Sequence, residues 1–391
     1  MKRIVPALTL LVLLPAVIIR AQNSLPSDIY PDSRSRLPLV KTGDSGEAAQ
    51  QAAPAATTNF AGIQNMRAAV DRYGYRGDIA QSASPLGSAF TQFVILVTAR
   101  EHDQPYEWSL HEMQAVAVGL DPAEIDVVRN RKLLAGLPEN EAVVVMMARE
   151  IFGGHQLSSA TYTKGLKIFG QKNLVDIIGL IAAYSGTSAT LSAFNQQMPP
   201  GWKQFLPLPF TLPDDIHADS RSRLPLIKDR VQPEPGFAKL LYGRSPEPIG
   251  PGPSQIGLHA AAFQALLASV GRPLIDLAIL VTAREHDSQY DWTMNELAAV
   301  KDGLDAAVID VVRNRKSTAG LPENDAALID FARELFRVHY VTSPTYSRAV
   351  KAFGEGNLVA LVRVLSQHTQ EAALLAAFDQ RLPAGQKPLL P

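Results

Sequence analysis

Apolar residues recur at three- and four-residue spacing along most of the chain from about Phe60 onward, and strand-like alternation is scarce. Ala, Leu, Glu and Arg, good helix formers among them, dominate these segments. The punctuation agrees. Asp121-Pro122-Ala123-Glu124 offers an N-cap, a proline for the first turn and a capping-box acid. The helix carrying Ile125-Asp126-Val127-Val128 should end at Arg129-Asn130-Arg131-Lys132, with cations at the negative end of its dipole. Gly136 and Pro138 mark a break, Ser343-Pro344 opens a helix, and Gly170 and Gly354 close two others. A last apolar helix is expected from about Asn173 to Phe194, and again from Asn357 to Phe378. The expected fold class is all-α.

The pattern also repeats. VILVTAREHDQPYEW, beginning at Val94, returns as AILVTAREHDSQYDW, beginning at Ala278, an offset of about 184 residues and so of domain length. IDVVRNRK recurs at Ile125 and Ile309, AGLPEN at Ala135 and Ala319, and FGQKNLV at Phe169 answers FGEGNLV at Phe353. The lead-in is copied too, as DSRSRLPLVK at Asp32 and DSRSRLPLIK at Asp219. Its proline predicts an extended arm packed over the neighbouring domain. Two tandem helical domains follow, over 60–203 and 204–391, the second with its own arm. Residues 22–59 read as an arm and a small, polar, mobile linker between Gly43 and Asn59. The stretch from Pro233 to Pro253 reads as a long loop.

Residues 1–21 carry a basic start at Lys2 and Arg3, an apolar run broken by Pro6 and Pro15, and a small residue at Ala21. This predicts a removed signal peptide, export to a periplasmic or extracellular space, and no stable membrane anchor afterwards. The sequence contains no cysteine, which excludes disulfides, thiolate metal sites and thiol redox chemistry. A net charge of −1 without a long basic stretch argues against nucleic acid as a partner.

The stretch between Gln92 and His111 resembles the carboxymuconolactone decarboxylase family, which shares its all-helical fold with alkyl hydroperoxidase D. The peroxidase branch of that family carries an acid, a Cys-x-x-Cys pair and a histidine one turn later. Laid on the first repeat, these positions are Gln92, Gln104, Glu107 and His111; on the second they are Asp276, Ser288, Asp291 and Asn295. With no sulfur in either, thiol peroxidase chemistry is excluded. The decarboxylase-like branch tends to read Glu-Tyr-Glu-Trp with a histidine following, close to Gln104-Pro105-Tyr106-Glu107-Trp108 and His111. The resemblance therefore implies a cofactor-free lyase or lactone-processing enzyme acting on a small carboxylated molecule. It assigns His111 as proton donor, tuned by Glu107 four residues before it, and Arg100 as a clamp for a carboxylate. It also implies helical dimers assembled into rings. A tandem chain would then pack its repeats through their final helices, and three chains would complete the ring.

Plainer roles compete with these. Tyr106, Trp108, Tyr290 and Trp292 suit core packing as well as pocket walls. Arg100-Glu101-His102 and Arg284-Glu285-His286 are identical in both repeats, which favours an ion pair of the common fold over catalysis. His155 and His339 read as helix-end histidines. No spacing of the HExxH kind marks a metal site. A catalytically silent exported module that binds a small ligand or supports assembly is the alternative function.

Overall fold

The computed structural model describes residues 25–38, 86–198, 202–209, 214–218, 221–224 and 260–391. The signal segment, the linker from Gly43 to Asn59 and the loop from Pro233 to Pro253 lie outside them. The described residues are all-α, with no strands; two isolated bridges, Tyr30 with Ser35 and His217 with Ser222, sit in the arms.

The first repeat contributes α1 (Ser88–Glu101), α2 (Pro105–Ala117), α3 (Pro122–Arg129), α4 (Glu139–Gly153) and α5 (Ser159–Ala193). The second contributes α6 (Ala260–Val270), α7 (Arg272–Glu285), α8 (Gln289–Lys301), α9 (Ala306–Arg313), α10 (Glu323–Val338), α11 (Ser343–Phe353) and α12 (Glu355–Ala377). Helices α1 to α4 match α7 to α10 in order and place. Helix α5 is broken at Gly170 (φ 69°, ψ 165°), and Gly354 (φ 75°, ψ 154°) separates α11 from α12 at the matching position. Only glycine takes that backbone without strain, so the chain is broken at the same point twice.

The starts follow from capping chemistry. Asp121 and Asp305 each accept a 2.8 Å hydrogen bond from the amide two residues on. Thr342 caps α11, and Ser343-Pro344 opens it as expected.

The final helices α5 and α12 pack against each other, and Thr190 meets Ser366 across them at 2.8 Å. Each one ends in the other repeat's core. Leu374, Leu375 and Phe378 join the cluster of Phe93, Leu96 and Ile181. Phe194 joins the cluster of Ile275, Leu280 and Phe331. Apolar burial of this kind supplies about 25 cal/mol per Å², so each core draws part of its stability from the other half. Helix α5 is the one described helix long and apolar enough to cross a membrane, and 94% of its apolar window is buried inside the fold.

The arms are turned rather than extended. Tyr30 donates its amide to Ser35 and Arg34 to Tyr30, both at 2.8 Å, and Arg34 and Arg221 take positive φ of 55° and 57°. Proline sets only the exit of the segment; the two backbone bonds and the left-handed arginine close the turn. Each arm bridges both repeats. The Arg36 amide donates to the Phe378 carbonyl, while its guanidinium pairs with Asp28 at 2.8 Å and donates to the carbonyls of Leu157 and Ala377. It also lies 4.7 Å from the Tyr162 ring centre. Arg223 repeats this with the Phe194 carbonyl, Asp215 and Tyr346.

Candidate functional site

Helix α2 begins at Gln104, whose Oε1 accepts from the amides of Tyr106 (2.8 Å) and Glu107 (3.4 Å). Its Nε2 donates to Ser192 on α5 at 3.1 Å, so Gln104 is a cap and a strut between helices. Glu107 and His111 follow on one face, yet they take separate partners. Ser188 of α5 donates its hydroxyl to Glu107 Oε2, and Glu107 Oε1 is buried without a partner. Burial pushes this carboxyl up to about 8, against the smaller opposing effect of the Ser188 bond. His111 Nδ1 lies 2.8 Å from Gln92 Oε1, a carbonyl oxygen, so this nitrogen is the donor. The ring stands edge-on to Tyr184 at 5.2 Å, and burial pulls its pKa down to about 3. Burial thus favours the proton on the carboxyl and disfavours it on the imidazole, the opposite order to the one the resemblance implies.

The second repeat is built differently. Asn295 donates to Asp291 Oδ1 at 2.6 Å, and the other carboxylate oxygen meets His368 Nδ1 of α12 at 3.0 Å. His368 stands where the first repeat has Tyr184, and Asn295 where it has His111. The histidine has changed helices. Ser188 is matched by Ala372, so Asp291 has no counterpart to that hydroxyl. Ser288 begins α8 without a side-chain cap bond. Asp276 pairs with Arg272 at 2.8 Å, and burial still raises its carboxyl to about 6.

Arg100 donates to the Arg129 carbonyl at 2.8 Å and pairs with Asp103; Arg284 does the same with Arg313 and Asp287. Both serve the common fold. Trp108 and Trp292 are fully buried and donate their indole N–H to Glu112 and Glu296, which pair with Arg129 and Arg313. Tyr106 stacks on Trp202 at 6.4 Å, while Tyr290 belongs to the first repeat's core. None of these aromatics lines the cavity described next.

That cavity, of about 130 Å³, opens between the repeats. His102 and His155 line it from one side, His286 and His339 from the other. His102 Nδ1 lies 3.0 Å from the Thr98 carbonyl, and His286 Nδ1 lies 2.9 Å from that of Thr282. These bonds fix the proton on Nδ1 and leave Nε2 as a lone-pair donor. Burial keeps both rings neutral, His102 at about 3 and His286 at about 4, and lowers His155 and His339 as well. Two carboxylates complete the wall asymmetrically. Arg337 grips Glu285 through bonds of 2.6 and 2.7 Å, whereas Glu101 has Arg149 at 3.8 Å and no counterpart of that grip, because Gly153 stands where the second repeat has Arg337. Ser188 and Ser192 form part of the same wall.

So the cavity touches the α2 site through Ser188, the partner of Glu107, and Ser192, the partner of Gln104. The motif alignment singled out neither serine, nor His368. The identity of His102 with His286 and of His155 with His339 was the available signal, because residues retained in both repeats face each other where the repeats meet. No family model, no curated protein and no solved structure matches this chain.

Proposed function

We propose that the chain is a carboxymuconolactone decarboxylase-like protein, arisen by tandem duplication of an alkyl hydroperoxidase D-like domain, and that it acts as a cofactor-free lyase or lactone-processing enzyme. Its substrate is a small carboxylated molecule seated between the repeats. One observation carries this reading: a fully buried carboxyl, pushed up to about 8, stands one hydroxyl away from a histidine-lined cavity. Loss of carbon dioxide leaves an electron pair on carbon, which must take up a proton. For this the Ser188 hydroxyl would turn from Glu107 Oε2 towards the carbon, deliver its proton there and accept the proton of Glu107 in turn, leaving a carboxylate that water reprotonates. His111, bound through Nδ1 to Gln92, keeps Nε2 as a hydrogen-bond acceptor.

Export and self-association belong to the same proposal. The first rests on the N-terminal sequence. The second is supported by Met113 and Val116 on α2 and by Leu297 and Val300 on α8, apolar residues at matching positions with exposures from 37% to 58%. The second reading is a catalytically silent binding module. It is favoured by the complete burial of Glu107, which reaches the cavity only through Ser188.

A panel of carboxylated lactones, followed by ultraviolet turnover for the wild type, Glu107→Gln and His111→Ala, separates the two. Turnover lost in Glu107→Gln supports the lyase. Binding by calorimetry without turnover on any substrate would establish the module instead.

A further inference from the structure

We infer that the second repeat holds a divalent transition-metal site made by Asp291, His368 and Glu371. Three ligand atoms of different side chains converge. His368 Nδ1 lies 3.0 Å from Asp291 Oδ2 and 3.7 Å from Glu371 Oε2, and the three atoms lie within 4.8 Å of one another. An ion bound at about 2.1 Å to nitrogen and oxygen requires ligand separations of about 3.0 to 3.5 Å, so small side-chain shifts suffice.

The surrounding structure orients each ligand. Asn295 holds the second oxygen of Asp291 at 2.6 Å, and Gln367 donates to Glu371 Oε1 at 2.9 Å. Each carboxylate thus has one oxygen fixed by an amide and the other turned towards His368, the outer-shell pattern that aims metal ligands. His368 and Glu371 are three residues apart on α12, and Asp291 comes from α8, an arrangement suited to a metal held inside a helical bundle. Asp291 is fully buried, Glu371 is 7% exposed and His368 12%, so the open side of the site is at the imidazole.

The donor set narrows the ion. One imidazole with two carboxylates suits Zn²⁺, Mn²⁺ or Fe²⁺ better than a thiophilic metal. The first repeat cannot copy the site, because Tyr184 and Thr187 occupy the positions of His368 and Glu371. The chain should therefore bind one ion and not two. This site is distinct from the Glu107–Ser188 relay and does not depend on it.

The test is equilibrium dialysis of the full chain against Zn²⁺, with Co²⁺ as a spectroscopic probe. The expected result is one ion per chain, with Co²⁺ absorption bands that report mixed nitrogen and oxygen ligation. His368→Gln and Asp291→Asn, which keep side-chain volume, should each weaken binding at least about tenfold. His217→Gln, at an exposed histidine, should leave it unchanged. Circular dichroism checks that each variant is folded. Absence of bound metal, equal binding by folded His368→Gln, or loss of binding only in the double variant His102→Gln/His286→Gln would overturn the assignment.

Discussion

The hydroxyl of Ser188 joins the buried carboxyl of Glu107 to the cavity between the repeats, and the second repeat has Ala372 in its place. The two halves therefore repeat the helices but not this hydroxyl bridge. Ser188→Ala should leave Glu107 protonated and cut off. Turnover should then fall at least about tenfold, and in Glu107→Gln by about 10² to 10⁴, the usual contribution of a positioned acid. Measured kcat values check this; a Ser188→Ala variant with wild-type kcat would remove the hydroxyl from the path.

The same carboxyl predicts a pH profile. An acid with a pKa of about 8 works only while protonated, so kcat should decline as pH rises through 8. Asp276, raised to about 6, is ionised there and cannot produce that limb. A profile flat to pH 9 would place the proton donor elsewhere.

Stability should depend on pH in two opposite ways. His102, His111 and His286 are neutral when folded, with values of about 3, 3 and 4, but take up protons near 6.5 when unfolded. Their contribution is complete above about 6.5 and is lost as pH falls towards 4 and 3. Glu107 acts in reverse. Between 4.5 and about 8 it is protonated when folded and ionised when unfolded, so it withdraws stability as pH rises. Urea midpoints should fall below pH 6, and Glu107→Gln should gain most over wild type above pH 8. An advantage for that variant confined to acid pH would contradict the sign.

The arm arginines are expected to matter more than surface ion pairs. Arg36 is 2% exposed and joins Asp28, two carbonyls and a tyrosine ring. Arg36→Ala should cost on the order of 3 kcal/mol, because it leaves a carboxylate and two carbonyls without their partner. Arg223→Ala should behave similarly. Chemical denaturation gives the number, and a loss below about 0.5 kcal/mol, the scale of a surface pair, would refute the bridging role.

If the apolar faces of α2 and α8 are covered in an assembly, charge placed there should dissolve it. Val116→Glu combined with Val300→Glu should lower the mass seen by light scattering without altering helicity. An unchanged mass would locate self-association on another surface.

The sequence showed the helices well because capping and glycine breaks are local. Asp121, Gly170 and Gly354 act through their own backbone and immediate neighbours, and the structure has them in the expected places. The packing of the final helices against each other was expected from the resemblance to helical dimers, not from the local pattern, and the structure has it. The sites were less so. Matching the repeats position by position exposed the loss of His111 as Asn295, but could not show that His368 returns an imidazole from another helix. Nor could spacing show that His102 meets His339, with ring centres 5.7 Å apart, because that contact exists only where the repeats close on each other. His155 and His339 do sit at helix ends, as expected, with positive φ of 52° and 55°. What the pattern omitted was that both ends face the same cavity.

The reach of the first arm sets an order of events during synthesis. Arg36 finds one of its acceptors, the carbonyl of Ala377, 341 residues further along the chain. At about 5 to 20 residues per second, a ribosome needs on the order of 20 to 70 s to deliver that acceptor. Throughout that interval the first half has an arginine without its final partner and a core missing Leu374 and Phe378. The nascent half is thus left adhesive until α12 emerges, and the cavity comes into being only once that helix has been made.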